Sequence, residues 1–288
     1  MNDLREIVSS MKEGFVEADS AKYFDLWFEN AMNWWDSCMP PTDTWYPVED
    51  ITFQASGFPG QYMGWDIEIA CDIPEDVEDW HDVAPLGITC GAISRGNKVA
   101  GVWRSNDSSP MSMEQCQDMV RTLMDLRDKG YIITTWNGLS FDFDVLAMES
   151  GMIKECAELA LGHVDMMYHV VCQKGFGVGL DTVAKKMGVG GKSEGMTGAL
   201  APVLWRNGDF DRVLGYVAQD AKSTADVANA CEKHGKMLWT TKKGKEANMP
   251  LPNGWLTVEK ANKLPVPDTS WMDDASIWSR ERFMKWTR

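Results

Sequence analysis

The sequence predicts an α/β protein whose central β-sheet is mixed and is flanked by helices. Residues 64–70, GWDIEIA, alternate in polarity, which is typical of a strand with one buried face. Residues 131–136, YIITTW, are a continuous apolar-to-Thr run, as in a strand that is buried on both faces. Apolar residues at helical spacing lie between and after these two runs, so strands and helices alternate along the chain.

A hairpin and a helix are predicted between these two strands. Residues 86–104 contain two β-rich runs joined by Arg-Gly-Asn, which is a hairpin signal. We expect the helix that follows to have Ser109 as its cap and Pro110 in its first turn, and to end at Gly130. Its apolar positions fit a helical period: Met113, Cys116, Met119, Val120, Leu123, Met124 and Leu126.

The chain beyond residue 136 should supply one more strand and several helices. The expected elements are a helix over residues 137–151, a short strand around 163–170, a helix over 179–188 and a long helix from about Asp209 to His234. Asn207 or Asp209 should cap the long helix, and Gly235 should end it.

Composition shifts divide the chain into three parts. We expect an N-terminal helical leader over residues 1–57, a core domain over 58–235, and a C-terminal extension over 236–288 that is rich in Trp, Pro and Lys and packs on the domain. The leader contains an amphipathic helix, which could be a surface for a protein partner. Its apolar stripe is Phe24, Trp27, Phe28, Ala31 and Trp35.

Charge and composition exclude several classes of protein. No apolar run approaches the roughly 18 residues of a membrane span, and the first 15 residues lack the apolar segment of a signal peptide. The seven cysteines are widely spaced and form no CxxC pair, so we expect reduced thiols in a cytoplasmic protein. The first 80 residues carry the whole formal net charge of −15. That charge argues against loose electrostatic binding to nucleic acid, although it leaves room for a local basic track.

Carboxylates recur at three places along the predicted elements. Asp66 and Glu68 are two apart in a strand and therefore share a face, although they could also lie on a solvated edge strand. Asp142, in the segment WNGLSFDFD, should lie at the start of a helix near the carboxyl end of a strand. It could equally do no more than complement the helix N-terminus.

The third place is the long helix. Tyr216 and Asp220 are four residues apart and share a helix face. They could also be a core tyrosine and a solvated carboxylate. Several carboxylates that converge are what a two-metal phosphodiesterase site needs, because Mg²⁺ and Mn²⁺ prefer oxygen ligands.

Taken in order, Asp-x-Glu, Asn-Gly-x-x-Phe-Asp and Tyr-x-x-x-Asp resemble the motifs of the DEDD 3′→5′ exonucleases, which have a ribonuclease H-like fold. The chain looks most like the proofreading domain of family B DNA polymerases, in a stand-alone form, from about Gln61 to His234. The subclass that the resemblance implies is DEDDy, because Gly215 stands where a DEDDh enzyme carries His.

The resemblance implies a site and a mechanism. Asp66, Glu68 and Asp220 would hold one metal ion, Asp66 would bridge to a second ion, and Asp142 would reach that ion directly or through water. Tyr216 would orient the attacking water. The implied activity is metal-dependent digestion of a single-stranded DNA 3′ end with two Mg²⁺ or Mn²⁺ ions, in DNA replication or repair. A ribonuclease that trims RNA ends, and a catalytically silent binding module, are the alternatives.

Basic and aromatic residues could contact the nucleic acid strand. Asn137 is expected either to contact it or to brace the turn before Asp142, and Phe141 is expected to be a core residue. A phosphate track is predicted from clustered lysines, although they could also be ordinary solvated residues. They are Lys185, Lys186, Lys192, Lys242, Lys243 and Lys245. The tryptophans of the extension are expected to be packing anchors more often than stacking surfaces for bases.

Overall fold

The computed structural model of the chain describes residues 62–96, 98–190, 195–272 and 274–288. The predicted leader over residues 1–57 and Lys192 lie outside these ranges, and the predicted domain boundaries stay predictions. The central sheet contains the strands β1 (Tyr62–Ile69), β2 (Ile88–Arg95), β3 (Lys98–Arg104), β4 (Ile132–Thr135) and β5 (Val164–Asp165).

The sheet is mixed, as the sequence predicts. Its strands lie in the order β3-β2-β1-β4-β5. The pairs β1–β2 and β2–β3 are antiparallel, and β2 and β3 form the predicted hairpin, in which Arg95 lies opposite Lys98. The pairs β1–β4 and β4–β5 are parallel. The parallel ladder between β1 and β4 includes Tyr62, Met63 and Gly64 of β1, so the half of β1 that carries Asp66 and Glu68 lies outside that ladder.

Helices α1 to α5 follow the strands in chain order. They are α1 (Met113–Asp128), α2 (Asp142–Ser150), α3 (Ile153–Gly162), α4 (Met166–Lys174) and α5 (Leu180–Met187). The predicted apolar stripe of α1 is largely confirmed, since Cys116, Met119, Val120, Leu123 and Leu126 are buried, but Met113 is exposed.

The predicted start of α1 was wrong. Ser112 is the N-cap rather than Ser109. Ser112 and Gln115 form a capping box, in which each side chain accepts a hydrogen bond from the other residue's backbone N–H. This reciprocal arrangement satisfies two N–H groups at the helix start, which explains why the helix begins three residues later than expected.

The strand predicted around residues 163–170 is mostly helical. Only Val164 and Asp165 pair with β4, and Asp165 then caps α4 by accepting a hydrogen bond from the N–H of Tyr168 at 2.9 Å. An N-terminal cap favours helix directly after it, and this local signal outweighs the strand-like composition of the segment.

The remaining helices and strands follow α5 along the chain. They are α6 (Ala201–Arg206), α7 (Phe210–His234), β6 (Lys236–Thr240), β7 (Glu246–Pro250), α8 (Val258–Ala261) and α9 (Arg280–Met284). The long helix α7 ends at Gly235, as predicted, and Asp209 stands at its N-cap position, although the Asp209 side chain makes no capping hydrogen bond. The first part of the C-terminal region contributes to the core: Met237 and Trp239 of β6 and Trp255 are buried in one apolar cluster with Tyr62 of β1.

Helix α7 lies unusually close to β1 at Gly64. A Cβ atom placed on Gly64 would lie 2.0 Å from the carbonyl oxygen of Ala221, so only glycine permits this approach. Ala221 follows Asp220, and Gly64 is two residues before Asp66. The close contact therefore brings the carboxylate-bearing parts of α7 and β1 together.

The helices and the cysteines bear on two further expectations, the absence of a membrane span and the presence of reduced thiols. Within the described residues, none of the helices combines the length and the apolar character that crossing a membrane requires. Of the described cysteines, Cys71 is exposed and the others are buried, and all of them are free thiols.

Candidate active site

A cavity of about 670 Å³ collects the predicted carboxylates. Its walls come from the second half of β1, the turn before α2, the first turn of α5, the middle of α7 and the C-terminal extension. All five residues predicted to be catalytic line it: Asp66, Glu68, Asp142, Tyr216 and Asp220. Residues separated by more than 150 positions in the sequence thus meet at one place.

Asp66 and Glu68 project from β1, where strand alternation gives them a common face. Asp66 is half-buried and Glu68 is buried. Between them, the backbone N–H of Ile67 donates a hydrogen bond to Oδ1 of Asp142 at 3.3 Å. A backbone N–H of β1 thus holds the carboxylate of Asp142 at the part of the strand that carries Asp66 and Glu68.

Asp142 is the first residue of α2 and is almost fully buried. Its pKa is raised to about 7, chiefly by burial; the negative charges of Asp165 and Asp220 also raise it, and backbone N–H donors lower it. A carboxylate with this pKa is held close to other acids in a site of low polarity. Such perturbed groups cluster at functional sites, although ion networks in structural regions perturb pKa values as well.

Asp165 braces the turn that leads into Asp142. Its carboxylate accepts hydrogen bonds from the N–H groups of Asn137 at 3.0 Å and Leu139 at 2.9 Å. Asn137 has a φ of 76°, in the left-handed region where asparagine is one of the few tolerated side chains. Gly138 follows because a Cβ there would lie 2.5 Å from Oγ1 of Thr135. Asn137 is therefore part of a turn that Asp165 holds, and it also lines the cavity; its contact with a nucleic acid strand stays a prediction.

Tyr216 and Asp220 enter the cavity from α7, one helical turn apart, and both are buried. The pKa of the Tyr216 hydroxyl is raised by burial and, next, by three nearby carboxylates, those of Asp220, Glu68 and Asp66. The hydroxyl therefore keeps its proton at neutral pH and can donate a hydrogen bond, but it cannot act as a base.

The chemistry of this donor set fits hard divalent cations, because all four candidate ligands are carboxylates. In the described part of the chain, however, no group of three or more His, Cys, Asp and Glu side chains is gathered tightly enough to hold a metal ion. Like charges repel one another, so cations would have to draw these carboxylates together. The Mg²⁺ or Mn²⁺ expected from the sequence is thus compatible with the ligand types and stays a prediction.

The cavity is strongly acidic. Besides the four candidate ligands, Asp72 and Asp181 line it, and none of its lining residues within the described ranges is Lys, Arg or His. Asp72 pairs with Arg206 at 2.6 Å and Asp181 with Lys185 at 2.7 Å. Asp181 lies in the first turn of α5, whose N-cap position is occupied by Gly179.

None of the described lysines predicted to contact nucleic acid lines the cavity itself. Lys185 pairs with Asp181, and Lys186 pairs with Glu246 of β7 at 2.6 Å. The remaining described lysines of the predicted track are exposed in the turn between β6 and β7: Lys242, Lys243 and Lys245. Their contact with a nucleic acid strand stays a prediction, and it would lie outside the carboxylate cavity.

Asp144, two residues after Asp142, belongs to a different contact. It is buried and its Oδ2 lies 2.9 Å from Nε2 of His81, which belongs to the short 3₁₀ turn Trp80–Val83. Its pKa is raised to about 6 because the effect of burial exceeds the opposing effect of His81. Asp144 does not line the cavity, so its role is to tie the 3₁₀ turn to α2.

The cavity is also lined by three aromatic residues whose place there was not predicted from the sequence. Phe141, expected in the core, is half-buried and lines the cavity, with its ring 5.8 Å from that of Trp80 in an edge contact. The core position belongs to Phe143, which is fully buried. The other two rings are Trp136 and Trp278. Trp278 is 136 residues from Asp142, and no spacing rule in the sequence connects the two.

Comparison with known protein families gives one match. A family model described as RNase_H superfamily matches residues 87–231, which is half of the chain. The matched region contains Asp142, Tyr216 and Asp220, whereas Asp66 and Glu68 of β1 precede it. A search of curated proteins found no match.

Proposed function

Since the chain belongs to the RNase_H superfamily, whose members generally hydrolyse nucleic acids, we propose that it is a metal-dependent 3′→5′ exonuclease acting on single-stranded DNA. The observation that carries this proposal is the meeting of four carboxylates and a tyrosine in one open cavity. The 3′→5′ direction rests on the resemblance of the three motifs to the DEDDy exonucleases.

The chain's own residues would divide the work as follows. Asp66, Glu68, Asp142 and Asp220 would hold the divalent cations, which when bound supply positive charge and Lewis acidity at the reacting phosphodiester. Tyr216, protonated at neutral pH, would donate a hydrogen bond that orients the attacking water. The N–H of Ile67 fixes Asp142, and Asp165 fixes the turn before it, so this carboxylate is positioned before substrate arrives.

Two alternatives remain outcomes of the same test. RNA differs from DNA by its 2′-hydroxyl, and no lining residue is assigned to discriminate for or against that group. RNA is therefore the second substrate to test. A silent binding module would need a blocked cavity. Trp278 does line the same cavity as Asp66, but a volume of about 670 Å³ is left open, which favours an active site.

The test is digestion of a 5′-labelled single-stranded DNA oligonucleotide with Mg²⁺ or Mn²⁺. We expect a ladder that shortens from the 3′ end, no cleavage of circular single-stranded DNA, and protection by phosphorothioate linkages at the 3′ terminus. Asp66→Asn should lower the rate by on the order of 10²–10³ or more, the scale on which loss of one charge-stabilising group acts.

Asp144→Asn is the matched control, because it changes a buried aspartate of α2 that lies outside the cavity. It should keep most of the activity. Cleavage of circular DNA would exclude an exonuclease. Faster digestion of an RNA oligonucleotide would select the ribonuclease, and folded protein that digests neither substrate with either metal would contradict the proposal.

A further inference from the structure

Trp278 brings the C-terminal extension into the carboxylate cavity. It ends the 3₁₀ turn Ser276–Trp278 and lines the cavity together with Gly177, just before α5. Its ring fits there because residue 177 is glycine: a Cβ at that position would lie 2.4 Å from Cζ3 of Trp278. The ring is half-buried, unlike the core rings of Trp65 and Trp205, which are 1% and 0% exposed.

The backbone around Trp278 is firmly held. The guanidinium of Arg280 donates hydrogen bonds of 2.8–3.0 Å to four backbone carbonyl groups, those of Cys172, Asn262, Leu264 and Pro265. The neighbouring Phe283 is buried, and its ring is 26° from parallel with that of Trp278, with centroids 6.5 Å apart. Trp278 is therefore a positioned ring rather than part of a loose tail.

Trp278 is one of three half-buried rings that line the cavity, and each comes from a different part of the chain. Trp136 is fixed by a hydrogen bond from its Nε1 to the carbonyl of Val178 at 3.0 Å, and Phe141 directly precedes Asp142. The described lining contains six carboxylates, of which Asp72 and Asp181 pair with Arg206 and Lys185, and it contains no basic side chain. A strand can therefore gain affinity there from its bases, through stacking, more readily than from its phosphates.

We propose that Trp278 is a base-stacking residue that holds a base near the 3′ end of a single strand while the phosphodiester lies at the carboxylates. This inference rests on the proposed nuclease function and adds the substrate contact that the extension supplies. Every base has a π-face, so the contact would work on any sequence and would require an unpaired base. The proposal thus predicts single-strand preference without sequence preference.

The test separates binding from catalysis. Single-stranded oligonucleotides with a 5′ fluorophore are titrated with protein in Ca²⁺, with fluorescence anisotropy as the readout, and an abasic site replaces each of the last three nucleotides in turn. In the wild type, one of these replacements should weaken binding by about tenfold, the range expected for loss of one stacked base. Trp278→Ala should weaken binding of the intact strand by the same factor and should abolish the effect of that replacement.

Two further variants guard against a folding defect. Trp278→Leu keeps an apolar side chain against Phe283 but removes the aromatic face. Gly177→Ala leaves the ring intact but forces it to move, because the new Cβ would overlap it. Both should reproduce the loss. Trp271→Ala is the control: this tail tryptophan is 65% exposed and does not line the cavity, so its loss should not alter affinity.

The outcomes distinguish the two proposals. If the wild type digests DNA but folded Trp278 variants keep the abasic effect unchanged, the stacking role is wrong while the nuclease stands. If the wild type neither binds nor digests any single strand, the proposed function fails and the stacking role fails with it. Loss of the abasic effect in Trp278→Leu and Gly177→Ala, but not in Trp271→Ala, supports stacking.

Discussion

Two features of Asp142 have opposite consequences for its carboxyl group, one for its ionisation and one for its position. It is buried beside other acids, which makes its ionisation costly, and yet it is fixed by a backbone donor in the place where a ligand carboxylate would be needed. The pKa of about 7 in the cation-free protein expresses that conflict. A bound divalent cation would resolve it by favouring the charged form.

We predict that Asp142 makes the cation-free protein less stable as the pH rises. Its folded-state pKa, about 7, lies above the ordinary value of 3.8, so its contribution is fully present below pH 3.8 and is lost as the pH rises through about 7. The difference corresponds to about 4 kcal/mol at most. In EDTA, urea unfolding at pH 5 and pH 8 should show a smaller loss of stability for Asp142→Asn than for the wild type.

The amide oxygen introduced by Asp142→Asn would still accept the hydrogen bond from the N–H of Ile67, so the comparison isolates the charge. Adding Mg²⁺ at pH 8 should raise the melting temperature of the wild type and have less effect on Asp142→Asn. Parallel pH profiles for the two proteins would show that Asp142 is not the group responsible.

The packing of α7 on β1 decides the geometry of the site at the scale of elements. Asp66 and Glu68 are fixed to the strand, Tyr216 and Asp220 to the helix, and Gly64 sets the distance between the two. Spacing along one element could predict which residues share a face. It could not predict how closely two elements approach, because this depends on a single missing side chain.

Gly64→Ala should therefore disturb both stability and activity. The new methyl would meet backbone atoms of α7, which cannot rotate away, so the cost should reach or exceed the upper end of the roughly 1–3 kcal/mol that overpacking causes. Gly101→Ala is the matched control, because its Cβ would meet only Cγ2 of Ile93 at 3.4 Å. Urea denaturation of both variants measures the difference, and equal stabilities would refute the close-packing argument.

Sequence patterns predicted which strands and helices form better than they predicted where each one ends and which residues it contacts. The alternation of β1, the hairpin and the period of α7 were sufficient because each depends on neighbouring residues only. The segment after His163 was misassigned because a single cap, Asp165, outweighs its strand-like composition. Phe141 and Phe143 are indistinguishable in the sequence, and the start of α2 alone decides which of them reaches the cavity.

At the scale of the whole molecule, charge sets the conditions for meeting a nucleic acid. The chain has a formal net charge of −15, and the described lining of the cavity adds no basic side chain. A polyanion therefore approaches against repulsion, unlike the usual case in which binding releases counterions from a basic surface. Divalent cations would supply the positive charge that the chain itself does not place in the cavity.

The salt dependence of the reaction should follow from this balance. At a fixed, saturating Mg²⁺ concentration, raising the KCl concentration increases the ionic strength, shortens the screening length and weakens the repulsion. We expect the KM for single-stranded DNA to fall or stay level as the KCl concentration rises. A steep rise in KM would instead favour the predicted contacts of Lys242, Lys243 and Lys245, and charge reversal of these lysines would then flatten it.

The C-terminal extension is synthesised after the four carboxylates, and yet it contacts the turn that carries one of them. The indole N–H of Trp286 donates a hydrogen bond of 2.6 Å to the carbonyl of Leu139, in the turn that leads to Asp142. A ribosome finishes all four carboxylates by residue 220, but residues 278–286 emerge only later. A nascent or shortened chain that stops before residue 278 would thus carry the acids of the cavity without the ring of Trp278 and without the hydrogen bond from Trp286 to its central turn.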